Sequence, residues 1–112
     1  MARRIRISRQ AQHDIQDVLA WTLDHFGERK YDEYRILIRL ALIDIAADPD
    51  RTPAKRRPEI HPDARTFHLS RPGKRARHFV LFRVLDARTT EIGRLLYDSM
   101  ELTQHLPPEY EA

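Results

Sequence analysis

The chain has 112 residues, 41% of them hydrophobic and 33% charged, and its 20 Lys and Arg against 17 Asp and Glu leave a net charge of +3. That is enough for one thin core and too little for two, so residues 1–112 are expected to form a single soluble domain. With no cysteine there are no disulfides, thiolate metal sites or Cys nucleophiles, and the composition suits the reducing cytoplasm.

The opening MARRIRIS is basic with no apolar run behind it, so it does not read as a signal peptide. Arg3 to Ser8 alternates around Ile5 and Ile7, which predicts a short strand. Ser8 then caps a helix from about Arg9, where Ala11, Ile15, Val18, Leu19, Thr22 and Phe26 recur at helical spacing until Gly27 stops it. A second helix follows at once. Tyr31, Tyr34, Leu37, Ile38, Ala41, Leu42 and Ile45 keep the period to Ala47, and Asp48-Pro49 ends it. Two such helices joined at a glycine form an antiparallel hairpin. Ile36, Leu40 and Ile43 widen the second helix's apolar stripe, so it is expected to touch both its neighbour and a sheet. The stretch 36–47 is broken by Arg39 and Asp44 and is too short to span a bilayer, so no membrane partner is expected.

Residues 49–63 hold four prolines and no periodicity, which predicts an ordered loop. Thr66 to Ser70 reads as a strand, and Arg71-Pro72-Gly73-Lys74 as a type II turn. His78 to Leu85 is an apolar run fit for a central strand, and Thr89 to Tyr97 is a further strand. Asp98 or Ser99 then caps a last short helix closed by Pro107, with Asp98 and Glu101 favouring its positive end. The predicted fold is α+β, in the order β-α-α-β-β-β-α. A helical hairpin packs on a small, mostly antiparallel sheet, and a short C-terminal helix follows.

The charge is unevenly spread. Residues 51–83 hold 10 basic side chains against 2 acidic ones, whereas residues 84–112 hold 2 against 6. Most of the basic residues there are Arg, which favours bidentate contacts to phosphate or carboxylate; the alternative is a merely solvated basic face. The candidate binding residues are Arg65, Arg71, Lys74, Arg75, Arg77 and Arg83. Strand alternation puts Arg77 and Arg83 on one face unless a bulge intervenes, with Arg65 beside them if the strands pair as a hairpin. A metal-free ribonuclease could use such a cluster, with Arg stabilising the transition state and Tyr or His moving protons. The six histidines lack metal-ligand spacing, there is no GxSxG, and three glycines cannot build a phosphate loop. No metal or cofactor is expected.

The order of elements, with RTFHLSRPGKRARHFVLFRV (65–84) followed by TEIGRLLYDSMELTQHLP (90–107), resembles the RelE/ParE superfamily of type II toxins, and its ParE-like members more closely. The residues that carry the resemblance are Arg65 with Phe67, then Arg77, His78, Phe82 and Arg83, then Met100, Glu101, His105 and Leu106. It spans nearly the whole chain. A ParE-like reading implies a non-enzymatic inhibitor of DNA gyrase with roles in plasmid maintenance or stress response. The implied partner is a cognate antitoxin of ribbon-helix-helix type with an acidic C-terminal segment. Tyr97 stands where ParE-like proteins often have His, and this opens the RelE-like alternative. That is a metal-independent, ribosome-dependent mRNA endoribonuclease using Arg65, Arg77, Arg83 and Tyr97. RelE-like nucleases tend to keep basic residues just beyond this strand, whereas here stand Asp98 and Ser99, and a carboxylate repels RNA phosphate. The inhibitor is therefore the expected reading, with a non-toxic partner-binding protein as a further alternative.

Overall fold

In a computed structural model, residues 3–50, 54–99 and 107 are described. Strand β1 (Arg4–Ile7) leads into α1 (Arg9–Phe26) and α2 (Glu28–Ala47), followed by β2 (Lys55–Arg56), β3 (Arg65–His68), β4 (His78–Val84) and β5 (Thr89–Tyr97). The predicted α+β order is found, with one addition. The loop expected over residues 49–63 contains the two-residue strand β2, which is too short to show alternation. The predicted last helix, with Met100, Glu101, His105 and Leu106, lies outside the described residues.

The sheet order is β1-β5-β4-β3-β2. β1 runs parallel to β5 and every other pair is antiparallel. The helices cover one face of this sheet. Val80 and Phe82 enter the core beneath them with Phe67, Leu69, Leu37, Ile38 and Ile45. Phe79 and Leu81 point the other way, where Ile60 and Ala64 of the proline-rich loop pack against them with Leu96. That loop is thus a lid on the second face, which explains why β4 is apolar on both sides.

Strand β5 carries one extra residue. Leu81 opposes Arg94 and Phe82 opposes Ile92, so Gly93 has no opposite number. The bulge resets the alternation and brings Ile92 and Leu95, three apart, into the same helix-side core. Helix α1 holds it in place. The Ser8 hydroxyl caps α1 by accepting from the Ala11 N–H at 3.0 Å and donates to the Gly93 carbonyl at 2.8 Å.

Gly27 ends α1 and starts α2 with φ 85° and ψ −179°, a region open essentially to glycine alone. The hairpin is therefore fixed by a single backbone pivot. Gly73, with φ 78°, fits the third position of the expected type II turn, and Lys74 N–H donates to the Arg71 carbonyl at 2.8 Å. The apolar stripes are narrower than their periodicity suggests. Phe26 is 60% exposed, and Ile36 and Ile43 are also exposed, so the fully buried residues of α2 are Leu37, Ile38, Ala41, Ile45 and Ala46.

Candidate functional site

The hairpin corner, the β3–β4 turn and the end of β5 converge on Tyr34 and His78. The Tyr34 oxygen accepts the Arg77 backbone N–H at 3.1 Å, so its own hydrogen is free for His78 Nδ1, 2.5 Å away. Nδ1 is then an acceptor and the His78 proton sits on Nε2. Burial lowers the His78 pKa and raises that of Tyr34, so both are neutral near pH 7. The Tyr97 ring stands edge-on to His78, with centroids 5.4 Å apart.

A second histidine is oriented in the same way. His68 Nδ1 accepts the Ser70 backbone N–H at 3.1 Å, which leaves Nε2–H to donate to Asp98 Oδ2 at 3.2 Å. Arg77 Nε lies 3.7 Å from Asp98 Oδ1, and its guanidinium carbon lies 5.3 Å from the centre of the Tyr97 ring. The His68 hydrogen bond, helped by Arg77, holds the Asp98 carboxyl below the ordinary carboxylate range. The carboxylate expected at a helix start therefore faces the sheet end.

Beside this cluster opens a groove of about 590 Å3. Trp21 and Phe26 of α1 and Tyr97 of β5 give it aromatic surface, and Trp21 itself is 53% exposed and stacked on His25 at 4.2 Å. Arg29 and Lys30 of α2 and Lys74, Arg75 and Arg77 of the β3–β4 connection line it too, against Glu33 as the acidic lining residue. Glu33 lies within 4 Å of Arg29, Lys30 and Lys74, and Asp98 lies 3.7 Å from Arg77, so these carboxylates offset part of the groove's excess of cations. A second groove, of about 400 Å3, is almost wholly apolar, with Ile5, Ile15, Leu19 and Leu42 between Arg35 and Arg39.

Comparison with known proteins now bears on this arrangement. Residues 5–102 match the family model described as ParE toxin of type II toxin-antitoxin system, parDE. The chain belongs to the ParE toxin family. A search among curated proteins found no match. Among solved structures, a chain of the chromosomal ParDE toxin–antitoxin system from P. aeruginosa superposes with a TM-score of 0.68 over 86% of this chain and 96% of that one. At 19% identity the likeness is one of fold. Among the described residues, no helix is long and apolar enough to cross a membrane and no cluster of His, Asp and Glu is arranged to hold a metal ion.

Against this ParE fold, the basic residues singled out from sequence separate into four groups, with Lys74 in two of them. Arg65 is nearly enclosed and donates to the Pro49 carbonyl at 3.2 Å and to Asp50 Oδ1 at 2.7 Å, so it pins the segment leaving α2. Arg83 Nε donates to the buried Glu91 carboxylate at 3.0 Å on the opposite face of the sheet. Arg71 pairs with Asp44, and Lys74 lies 3.8 Å from Glu33, so both tie the turn to α2. Lys74, Arg75 and Arg77 line the groove. The expected grouping of Arg65, Arg77 and Arg83 on one surface is not found. Arg65 opposes Phe82, on the helix side, and Arg77 stands just before β4 with its side chain drawn to Tyr97 and Asp98. Sequence reasoning did not single out Trp21, Phe26, Tyr34 or His78 as site residues. Trp21, Phe26 and Tyr34 are aromatic residues on helices, which read equally well as core, and His78 reads as the first residue of the apolar strand β4.

Proposed function

We propose that this ParE-family chain acts as a toxin by binding DNA gyrase, with no chemistry of its own, and that a cognate antitoxin with an acidic segment neutralises it. The observation that carries this reading is the separation of the four residues a nuclease would need. Tyr97 opposes His78, whereas Arg65 opposes Phe82, four residues further along β4 and about 13 Å away at roughly 3.3 Å per residue. Arg83 lies on the other face and is engaged with Glu91. Only Arg77 meets Tyr97, and there the Asp98 carboxylate stands beside them, where it would repel a scissile phosphate.

The cations at the β3–β4 turn, Arg71, Lys74, Arg75 and Arg77, suit an acidic segment of a partner protein, which they would steer and orient. The antitoxin's apolar residues would lie on the second groove between Arg35 and Arg39. The test is a gyrase supercoiling assay with purified toxin. Supercoiling falls as toxin is added and recovers when antitoxin is supplied; unchanged supercoiling at excess toxin overturns the reading. Cleaved mRNA in a translating extract with gyrase unaffected would establish the RelE-like alternative instead.

A further inference from the structure

We propose that the uncovered face of the sheet around β1, with Arg4, Arg6 and Arg88, binds the phosphate backbone of duplex DNA without reading its sequence. The inference does not rest on the gyrase reading and is tested with the toxin and DNA alone.

Three observations carry it. The first is the alternation of β1. Ile5 and Ile7 turn to the helix-side core, so Arg4 and Arg6 point to the other face, where both are exposed. The proline-rich lid packs elsewhere on that face, with Ile60 and Ala64 against Phe79, Leu81 and Leu96. Arg4 and Arg6 stand about 6.6 Å apart along the strand, at roughly 3.3 Å per residue. Arg88 is exposed in the neighbouring row, and its carbonyl accepts the Arg4 N–H at 2.6 Å.

The second is the balance of charge. Arg83 Nε donates to the buried Glu91 carboxylate at 3.0 Å, whereas Arg6 Nε lies 4.0 Å from it on a side chain 69% exposed. Arg3 lies beside Asp86 and donates to its carbonyl at 2.5 Å. Among the described residues, neither Arg4 nor Arg88 has a carboxylate partner. With Glu91 set against Arg83 and Asp86 against Arg3, the guanidiniums of Arg4, Arg6 and Arg88 remain in excess. The cations at the far end of β5, by contrast, are offset by Glu33 and Asp98.

The third is what this face lacks. Of the large apolar side chains exposed among the described residues, only Leu85 adjoins it. The others lie on the helices or at Tyr97, eight residues beyond Thr89 and about 26 Å away at roughly 3.3 Å per residue. A protein partner would find no aromatic anchor there, and a single strand no stacking surface. Closely set guanidiniums on a bare surface suit a duplex backbone, to which affinity comes from neutralised phosphates. Arginines on an edge strand also deter strand addition, but Arg88 stands outside β1.

Anisotropy of a labelled duplex of about 20 base pairs, titrated with the purified full chain, reads this binding directly. Saturable binding is expected at about 50 mM salt, with equal affinity for unrelated sequences. Neutralising two or three phosphates predicts that log Kobs falls against log salt with a slope of about −2 to −3. Arg4→Gln with Arg88→Gln should weaken binding about tenfold and flatten the slope by about 2. Thermal melting checks that this variant folds; Arg88→Gln alone, expected to flatten the slope by about 1, serves if it does not. Lys55→Gln with Arg56→Gln removes the same charge from β2, the opposite edge, and should leave the slope unchanged. Absence of binding at low salt overturns the proposal, as does an unflattened slope in the Arg88→Gln variants. So does an equal loss in the β2 variant, which would assign the binding to overall charge. A single strand or polyglutamate binding as tightly as the duplex also overturns it, the latter by assigning the face to an acidic protein.

Discussion

Asp14 on α1 and Arg94 on β5, 80 residues apart, form a two-point pair in which Arg94 Nε donates to Oδ2 at 2.7 Å and Nη2 donates to Oδ1 at 3.0 Å. The same carboxylate accepts the Leu95 backbone N–H at 3.0 Å. One side chain therefore satisfies donors released at the β-bulge and fastens the helical hairpin to the strand whose end carries Tyr97.

Asp14→Ala should remove that fastening without touching the groove. It leaves the Leu95 N–H without its acceptor in a partly buried place and takes the two-point carboxylate away from Arg94, which costs about 1–3 kcal/mol. Urea denaturation should show a lower midpoint with an unchanged slope. A midpoint equal to that of the parent chain would mean that water replaces the carboxylate at no cost.

Arg83→Ala separates the two readings of the basic cluster. Glu91 is buried and loses its 3.0 Å partner, and Arg6, at 4.0 Å and largely exposed, is a weak replacement. The expected loss is about 2–4 kcal/mol of stability, since an uncompensated buried carboxylate remains. Replacing both partners, as Arg83→Leu with Glu91→Leu, should recover most of it. If Arg83 acted on RNA, the single variant would lose activity at unchanged stability and the double variant would recover nothing.

The pH dependence follows from His78. Its folded pKa lies below its unfolded value of about 6.5, because burial disfavours the charged ring. As pH falls through about 6.5 the unfolded chain takes up a proton that the folded chain refuses, so stability declines by at most about 1.4 kcal/mol per pH unit for this one group. It levels off below the folded pKa. Asp98 works in a separate window, since its depressed pKa stabilises the fold above the ordinary carboxylate range and that contribution is lost only in acid. Denaturation midpoints at pH 7.5 and 5.5 for the parent and for His78→Asn test this, and a slope as steep in the variant would assign the effect elsewhere.

Much of this fold can be read from the sequence because its elements repeat their signals. Tyr34, Leu37, Ile38, Ala41 and Ile45 mark α2 several times over, and Gly27 and Gly73 mark the helix break and the β3–β4 turn, both at positive φ. β2 escaped because two residues, Lys55 and Arg56, cannot alternate visibly. The bulge at Gly93 escaped because an extra residue in a strand leaves no mark until its partner strand is known. The site was harder to read than the fold. A list of arginines does not show that Arg65 meets Asp50, 15 residues away, or that Arg83 meets Glu91 across a strand pair. Nor does helical periodicity tell that Phe26 lies at the edge of its stripe and faces a groove.

Tyr97→Phe decides between inhibitor and nuclease most cleanly. Its ring lies under Arg77 and beside His78, and both contacts belong to the π-system, which phenylalanine keeps. A toxin that acts by binding should therefore arrest growth nearly as well with Phe as with Tyr, within about threefold in the dose needed, because less than 1 kcal/mol of contact is at stake. A nuclease that moves a proton through the phenol would lose orders of magnitude, since general acid–base catalysis is typically worth about 100- to 10,000-fold. The measurement is growth arrest under titrated expression with protein levels matched, read together with thermal melting of the purified variant. Loss of toxicity at unchanged melting temperature would place the hydroxyl in chemistry and overturn the binding reading.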